Sequence, residues 1–268
     1  MTTPTATANS FDFGRIVKNT FGAIQQNAAT FIILALVLAG IPAVISTFGM
    51  VGLFSRLSTL GGSAAPPPLA SLGFSAALSG IGVFLNLFTN AILQASIIYG
   101  TAAYLNGRTA SLGECLGAGL RWFLPLIGLI ILMAIALFFG FIFFFVPGVL
   151  MAIAWIVAVP VLVVERTGVF AAFSRSADLT RGRRWAIFGF LFLYFIAFSV
   201  VQQVALNIVN AMSGAVNATA MVANQLPIGA AFGLITSVVA SAGVAAIYYE
   251  LRTTREGVGP EAFASVFD

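Results

Sequence analysis

"WFLPLIGLIILMAIALFFGFIFFFVPGVLMAIAWIVAVPVLVV" fills residues 122–164, between Arg121 on one side and Glu165-Arg166 on the other. Not one of its residues is charged, and none is Ser, Thr, Asn or Gln. As a single helix it would be about 64 Å long, roughly twice the thickness of a bilayer's hydrocarbon. It must therefore double back. The "VPG" at 146–148 is the turn signal nearest its middle. The tract thus predicts two spans, about 123–145 and 149–164, closing a helical hairpin that leaves Arg121 and Arg166 on one side.

The rest of the chain supports the same solvent. With 60% hydrophobic residues, 26 phenylalanines and only 7% charged residues, the charged side chains are too few to coat a water-soluble surface. A mean hydropathy of +1.06 points to a bilayer. Four further spans are expected at about 29–54, 79–105, 185–209 and 227–249. The predicted fold class is an all-α integral membrane protein with six transmembrane helices.

Six spans put both termini on one side. Arg15, Lys18, Arg108, Arg121, Arg166, Arg175, Arg181, Arg183, Arg184, Arg252 and Arg255 fall on that side, and Arg56 alone falls opposite. Such a bias predicts cytoplasmic termini in a bacterial inner membrane. Residues 1–10 are expected to be a disordered tail without signal-peptide features. Residues 11–257 are expected to form a single polytopic membrane domain, and 258–268 a cytoplasmic tail.

Short segments with helical periodicity precede the three outgoing spans. Phe13, Ile16, Val17, Phe21 and Ile24 share one face in the first; Leu112, Cys115 and Leu116 in the second; Val169, Phe170, Phe173 and Ala177 in the third. These are expected to lie flat in the interface as short amphipathic helices. Together with the spans they suggest three repeated units. "SLGE" at 111–114 fits a capping box.

With no histidine and a single cysteine, Cys115, the chain lacks imidazole chemistry, disulfides and multi-cysteine metal sites. No metal, cofactor or nucleic-acid partner is expected. Three groups of residues bear on function. The first surrounds "RSADLTRGRRW", 175–185: Arg175, Ser176, Asp178, Thr180, Arg181, Arg183 and Arg184, with Glu165 nearby. It reads either as an anion or headgroup site or as a structural clasp in which Glu165 pairs with Arg166, Arg175 or Arg181. The second is amides within spans: Asn86, Asn90 and Gln94 on one, and Gln202, Gln203 and Asn207 on another, each needing a polar partner or a wet cavity. The third is the small-residue ridge Gly229, Gly233, Ser237 and Ser241, which reads as helix packing. Tyr248 and Tyr249 are expected at headgroup level.

Pro147-Gly148, Trp155, Pro160, Glu165, Arg175-Ser176, Leu179-Thr180, Gly182, Tyr249, Leu251-Arg252 and Glu256-Gly257 carry a resemblance over about 110–257. In these residues the chain resembles the membrane-domain family associated with bacterial glycerophosphoryl diester phosphodiesterases. The resemblance implies an all-helical integral domain. It does not imply the hydrolase activity, which belongs to a separate domain with histidine ligands.

The resulting expectation is a non-enzymatic, lipid-interacting or assembly-supporting membrane protein. Its partners would be membrane lipids, anionic ones included, or another membrane protein. The alternatives are a transporter of lipids or phosphodiester metabolites along an amide-lined path, and an accessory subunit of a larger membrane complex.

Overall fold

The computed structural model describes residues 11–60, 69–143, 145–214 and 218–256. The tails expected at 1–10 and 258–268 lie outside the described residues, as does Gly257. The described residues are mostly helical, with no strand among them. In chain order the helices are α1 (Phe13–Gln26), α2 (Ala28–Ala35), α3 (Ile41–Leu60), α4 (Leu69–Leu105), α5 (Leu112–Phe143), α6 (Phe145–Ala154), α7 (Ala158–Val164), α8 (Val169–Thr180), α9 (Arg184–Ser213) and α10 (Ala218–Glu256). Among the described residues six stretches are long and apolar enough to cross a membrane: Ala28–Leu57, Leu69–Leu105, Leu112–Phe143, Phe145–Val164, Arg184–Ser213 and Asn224–Glu256.

The doubled-back tract is α5 followed by α6 and α7. At one end a Cβ on Gly140 would lie 3.3 Å from the Gly148 Cα. At the other, Arg121 and Arg166 border the same pocket. α5 is described to Phe143 and α6 from Phe145, and Pro147 of the "VPG" sits in the first turn of α6, where a missing N–H leaves nothing unpaired. A break at Trp155–Val157 divides α6 from α7. Its cause is Pro160, which cannot donate to the Ile156 carbonyl and whose ring would strike it in a continuous helix.

Pro42 acts likewise on the first span. The helix widens into a π turn over Leu36–Gly40, in which the Ile41 N–H reaches back to the Leu36 carbonyl. The wider turn absorbs the donor that proline lacks.

The expected surface segments have different fates. α1 stands as a separate helix, its start capped by the Asp12 carboxylate on the Gly14 and Arg15 amides. It buries Ile16, Thr20 and Ala23 and exposes Phe13, Val17 and Phe21, so the largest apolar side chains of the predicted face point outward. α8 is also separate, ended by Gly182 at φ 82°. The middle segment is not a helix of its own: it is the first three turns of α5, which runs on through Pro125. Its start is the predicted capping box, with the Ser111 N–H donating to Glu114 Oε2 at 2.7 Å and the Glu114 N–H to Ser111 Oγ at 3.3 Å.

Within the helical chain two compact units can be described. The first comprises the described parts of 1–32, 91–191 and 238–268; the second comprises 33–90 and 192–237. The first unit holds the main core, in which Leu126, Leu129, Val157, Leu162, Ala172, Leu179, Ile187 and Leu251 are almost fully buried. The second is built on close helix contact. A Cβ on Gly49 of α3 would lie 2.6 Å from the Ser79 Cα of α4, and one on Gly82 of α4 would lie 2.6 Å from the Ser46 Cα of α3. Two reciprocal glycine–serine contacts thus let the backbones touch. At the loop end Arg56 donates to the Ser71 carbonyl, tying the same pair of helices.

Candidate functional site

The second unit holds an open cavity of about 510 Å³. Its polar lining is Ser46 and Thr47 from α3, Asn86 and Asn90 from α4, Gln202 from α9 and Gln225 from α10. Among the described residues no charged one lines it. Asn90 Nδ2 donates to Asn86 Oδ1 at 2.6 Å, holding the α4 pair in a fixed relation. Asn86 lies at the middle of the 37-residue α4, about 25 Å from either end, which places the amides at hydrocarbon depth. The π turn contributes Ala39 to the wall. Gly229 and Gly233 also border the cavity, and a Cβ on either would meet nothing within 4 Å. They are therefore wall positions of the cavity. Ser237 Oγ donates to the Leu234 carbonyl of its own helix, and Ser241 is buried in the first unit.

The other predicted amides do not join the cavity. Gln94 is half-buried in the first unit. Gln203 and Asn207 are exposed on α9. Successive residues on a helix stand about 100° apart, so Gln202 and Gln203 cannot share one wall. Asn210 pairs instead at the loop end, accepting from Asn224 Nδ2 at 2.9 Å.

The arginine-rich segment forms a clasp in the first unit. Arg175 Nε donates to Glu165 Oε2 at 3.0 Å, and its NH2 group pairs with Glu256. The Tyr248 hydroxyl donates to Glu165 Oε1 at 2.8 Å and accepts from Arg252, which in turn meets Glu256 Oε2 at 2.9 Å. Partial burial works against the charge on Arg175. The hydrogen bonds and negative charge of Glu165 and Glu256 outweigh it and hold the guanidinium pKa above its ordinary value. Of the three partners open to Glu165, the fold supplies Arg175.

Ser176 and Thr180 do more than back-bond within α8. Both hydroxyls reach the Ala154 carbonyl, at 2.8 and 3.3 Å, and so satisfy an acceptor orphaned where α6 stops. Arg255 fastens the end of α10 to the Asp178 and Arg181 carbonyls. Arg183 lies over the Phe11 ring, and Arg184 points back to the Ala177 carbonyl at 3.5 Å. Tyr248 is only 3% exposed, so it is a buried member of the clasp, not a headgroup anchor. The i, i+4, i+8 spacing of Tyr248, Arg252 and Glu256 is the sequence signal that would have revealed it.

α1 is tied in separately. The Glu250 carboxylate is 1% exposed and accepts from Arg15 at 2.8 Å and from the Asp12 N–H at 3.1 Å. Among the described residues no group of three or more His, Cys, Asp or Glu is placed to hold a metal.

No protein-family model matches the chain, and no solved structure matches it. Over 105 residues it is 30% identical to a protein described as a UPF0259 membrane protein from Pectobacterium carotovorum subsp. carotovorum. The match takes in 39% of this chain and 42% of that relative, so the chain spans less than half of the relative's length. Together with six helices of spanning length, the likeness settles the coarse class. The chain is a multi-pass membrane protein.

Proposed function

We propose that the protein is a non-enzymatic carrier or binding protein of a bacterial inner membrane, with cytoplasmic termini, that accommodates a neutral or zwitterionic hydrogen-bonding solute in its second unit. The observation that carries this reading is the cavity of about 510 Å³ lined by Asn86, Asn90, Gln202 and Gln225. Amides deep in an apolar bundle are costly unless they meet one another, water or a ligand. Here the helices leave a space between them. A neutral lining favours solutes recognised by hydrogen bonds, such as polyols or glycerol-type headgroups, over ions. The π turn beside the cavity adds weight, since such interruptions recur at functional sites in membrane helices.

The test is water access. A spin label at Gln202→Cys in nanodiscs should be reached by a water-soluble relaxation agent, and a label at the exposed Val200→Cys should not. A dry label at Gln202 would remove the reading.

The family resemblance enters this proposal through the clasp, because Glu165, Arg175, Ser176, Thr180, Arg252 and Glu256, which carry it, meet in one small region. Those residues support a structural role in preference to a headgroup site, since both Arg175 and Arg252 are engaged by carboxylates.

An assembly-supporting or accessory role has its own observation. Ser199, Gln203 and Asn207 recur every fourth residue on α9 and are exposed. A stripe of that kind is satisfied in a bilayer by a second membrane protein. Cysteine cross-linking at Gln203→Cys in native membranes would reveal such a neighbour, and monomeric protein after oxidation would discount it.

A further inference from the structure

A second pocket, of about 280 Å³, lies in the first unit and is separate from the clasp. Arg121 and Arg166 border it, with Glu114, Tyr99 and Trp122. The two arginines bracket the uncharged tract 122–164, so the hairpin brings both to one membrane interface. Both are exposed, and among the described residues neither forms an ion pair. That sets them apart from Arg15, Arg175 and Arg252, whose guanidiniums are matched to carboxylates.

The backbone gives an independent sign. Arg166 follows the last turn of α7 at φ 54°, the left-handed conformation that a glycine or asparagine usually takes after a helix. It is the only non-glycine residue with positive φ among those described. Arginine is strained there, and a strained residue persists where its side chain is required or its surroundings hold it. Trp122 and Tyr99 have the amphipathic character of side chains that sit at headgroup level.

From these observations we infer that Arg121 and Arg166 form a binding site for the phosphate of a singly charged phosphodiester, of the kind carried by phospholipid headgroups. Two guanidinium forks present the paired donors that suit phosphate oxygens. Glu114, already held by Ser111, offsets one of the two positive charges. The balance suits a phosphodiester monoanion better than a dianionic phosphomonoester. The same carboxylate could receive the ammonium of an ethanolamine headgroup.

The site is independent of the solute cavity. Nothing in it depends on transport, and its test reads bound phosphate, not water access.

The test uses the full chain in mild detergent. Bound lipid is counted by native mass spectrometry after adding phosphatidylglycerol, phosphatidylethanolamine or phosphate-free diacylglycerol, with and without millimolar inorganic phosphate. Phosphatidylglycerol or phosphatidylethanolamine should bind, and diacylglycerol should not. Arg121→Gln and Arg166→Gly should each weaken phospholipid binding about tenfold, the scale of one lost charge-assisted hydrogen bond. Arg166→Gly relieves the strained conformation, so its melting temperature should be unchanged or higher; Arg166→Asn serves as a second variant with the same expectation. Displacement of the lipid by inorganic phosphate supports the site with phosphate alone as the recognised group, and resistance to displacement supports a lipid-headgroup site. Wild-type binding in both variants, equal binding of diacylglycerol, or no phospholipid bound to the wild type would each overturn the inference.

Discussion

Gly82 of α4 rests on the backbone of Ser46 of α3, with no room for a methyl group: a Cβ there would come within 2.6 Å of the serine Cα. Ser79 and Gly49 repeat the contact with the roles of the two helices exchanged. Because the obstructing atoms are backbone, no rotamer change can make space. Gly82→Ala and Gly49→Ala should therefore push α3 and α4 apart and cost about 1–3 kcal/mol each. Gly80→Ala, on the same helix with nothing within 4 Å, should be neutral or stabilising, by up to about 1 kcal/mol. Unfolding in detergent, followed by circular dichroism, checks both. Equal effects at Gly80 and Gly82 would count against a backbone contact.

The clasp predicts a coupling. Glu165 receives both the Arg175 guanidinium and the Tyr248 hydroxyl. Tyr248→Phe removes one neutral hydrogen bond and should cost about 1 kcal/mol. Glu165→Ala leaves the buried hydroxyl without its acceptor and Arg175 with one carboxylate fewer, so it should cost more, about 2 kcal/mol. In a double-mutant cycle, Glu165→Ala with Tyr248→Phe should be clearly less damaging than the sum of the single changes. Strict additivity would mean the two residues do not act together.

Ser176 and Thr180 share one acceptor, and redundancy has a distinct signature. Ser176 gives the shorter bond, and Thr180, which also lies 3.0 Å from the Ser176 carbonyl of its own helix, stands within reach as a second donor to the Ala154 carbonyl. Ser176→Ala and Thr180→Val should each be mild, while the pair should lose about 1–3 kcal/mol, the cost of a buried carbonyl left unpaired. Thermal melts of the three variants decide this. A double variant no worse than the singles would show that the carbonyl finds another donor.

Legibility in the sequence followed the strength of the physical constraint. A 43-residue tract without a polar side chain cannot lie straight across a bilayer, so the hairpin was readable from length alone. Its exact breaks were not. Proline has no single outcome in a helix: Pro147 sits in the first turn of α6, α5 runs on through Pro125, and Pro160 stands just after the break that divides α6 from α7. The amides were recognised as needing partners, but periodicity could not say which wall each would face. Asn86, Asn90 and Gln202 reached the cavity, whereas Gln203 and Asn207 did not. Glycine spacing shows the same limit. Gly229 and Gly233 have the spacing of a packing motif, yet the close contacts are at Gly49 and Gly82, whose "SxxG" repeats at 46–49 and 79–82 were the overlooked signal.

The orientation is testable with substitutions that should not disturb the fold. Cys115 is fully buried, so the wild-type chain is a silent background for thiol labelling. Gly113 and Gly168 have open space for a side chain, and Ser55 is exposed near the end of the first span. In the proposed orientation Gly113 and Gly168 lie on the cytoplasmic side, with most of the arginines, and Ser55 lies on the opposite face. In intact spheroplasts a membrane-impermeant maleimide should label Ser55→Cys and spare Gly113→Cys and Gly168→Cys. After permeabilisation all three should react. Labelling of Gly113→Cys and Gly168→Cys from opposite sides would contradict a hairpin between them, whereas labelling both from outside would keep the hairpin and invert the chain.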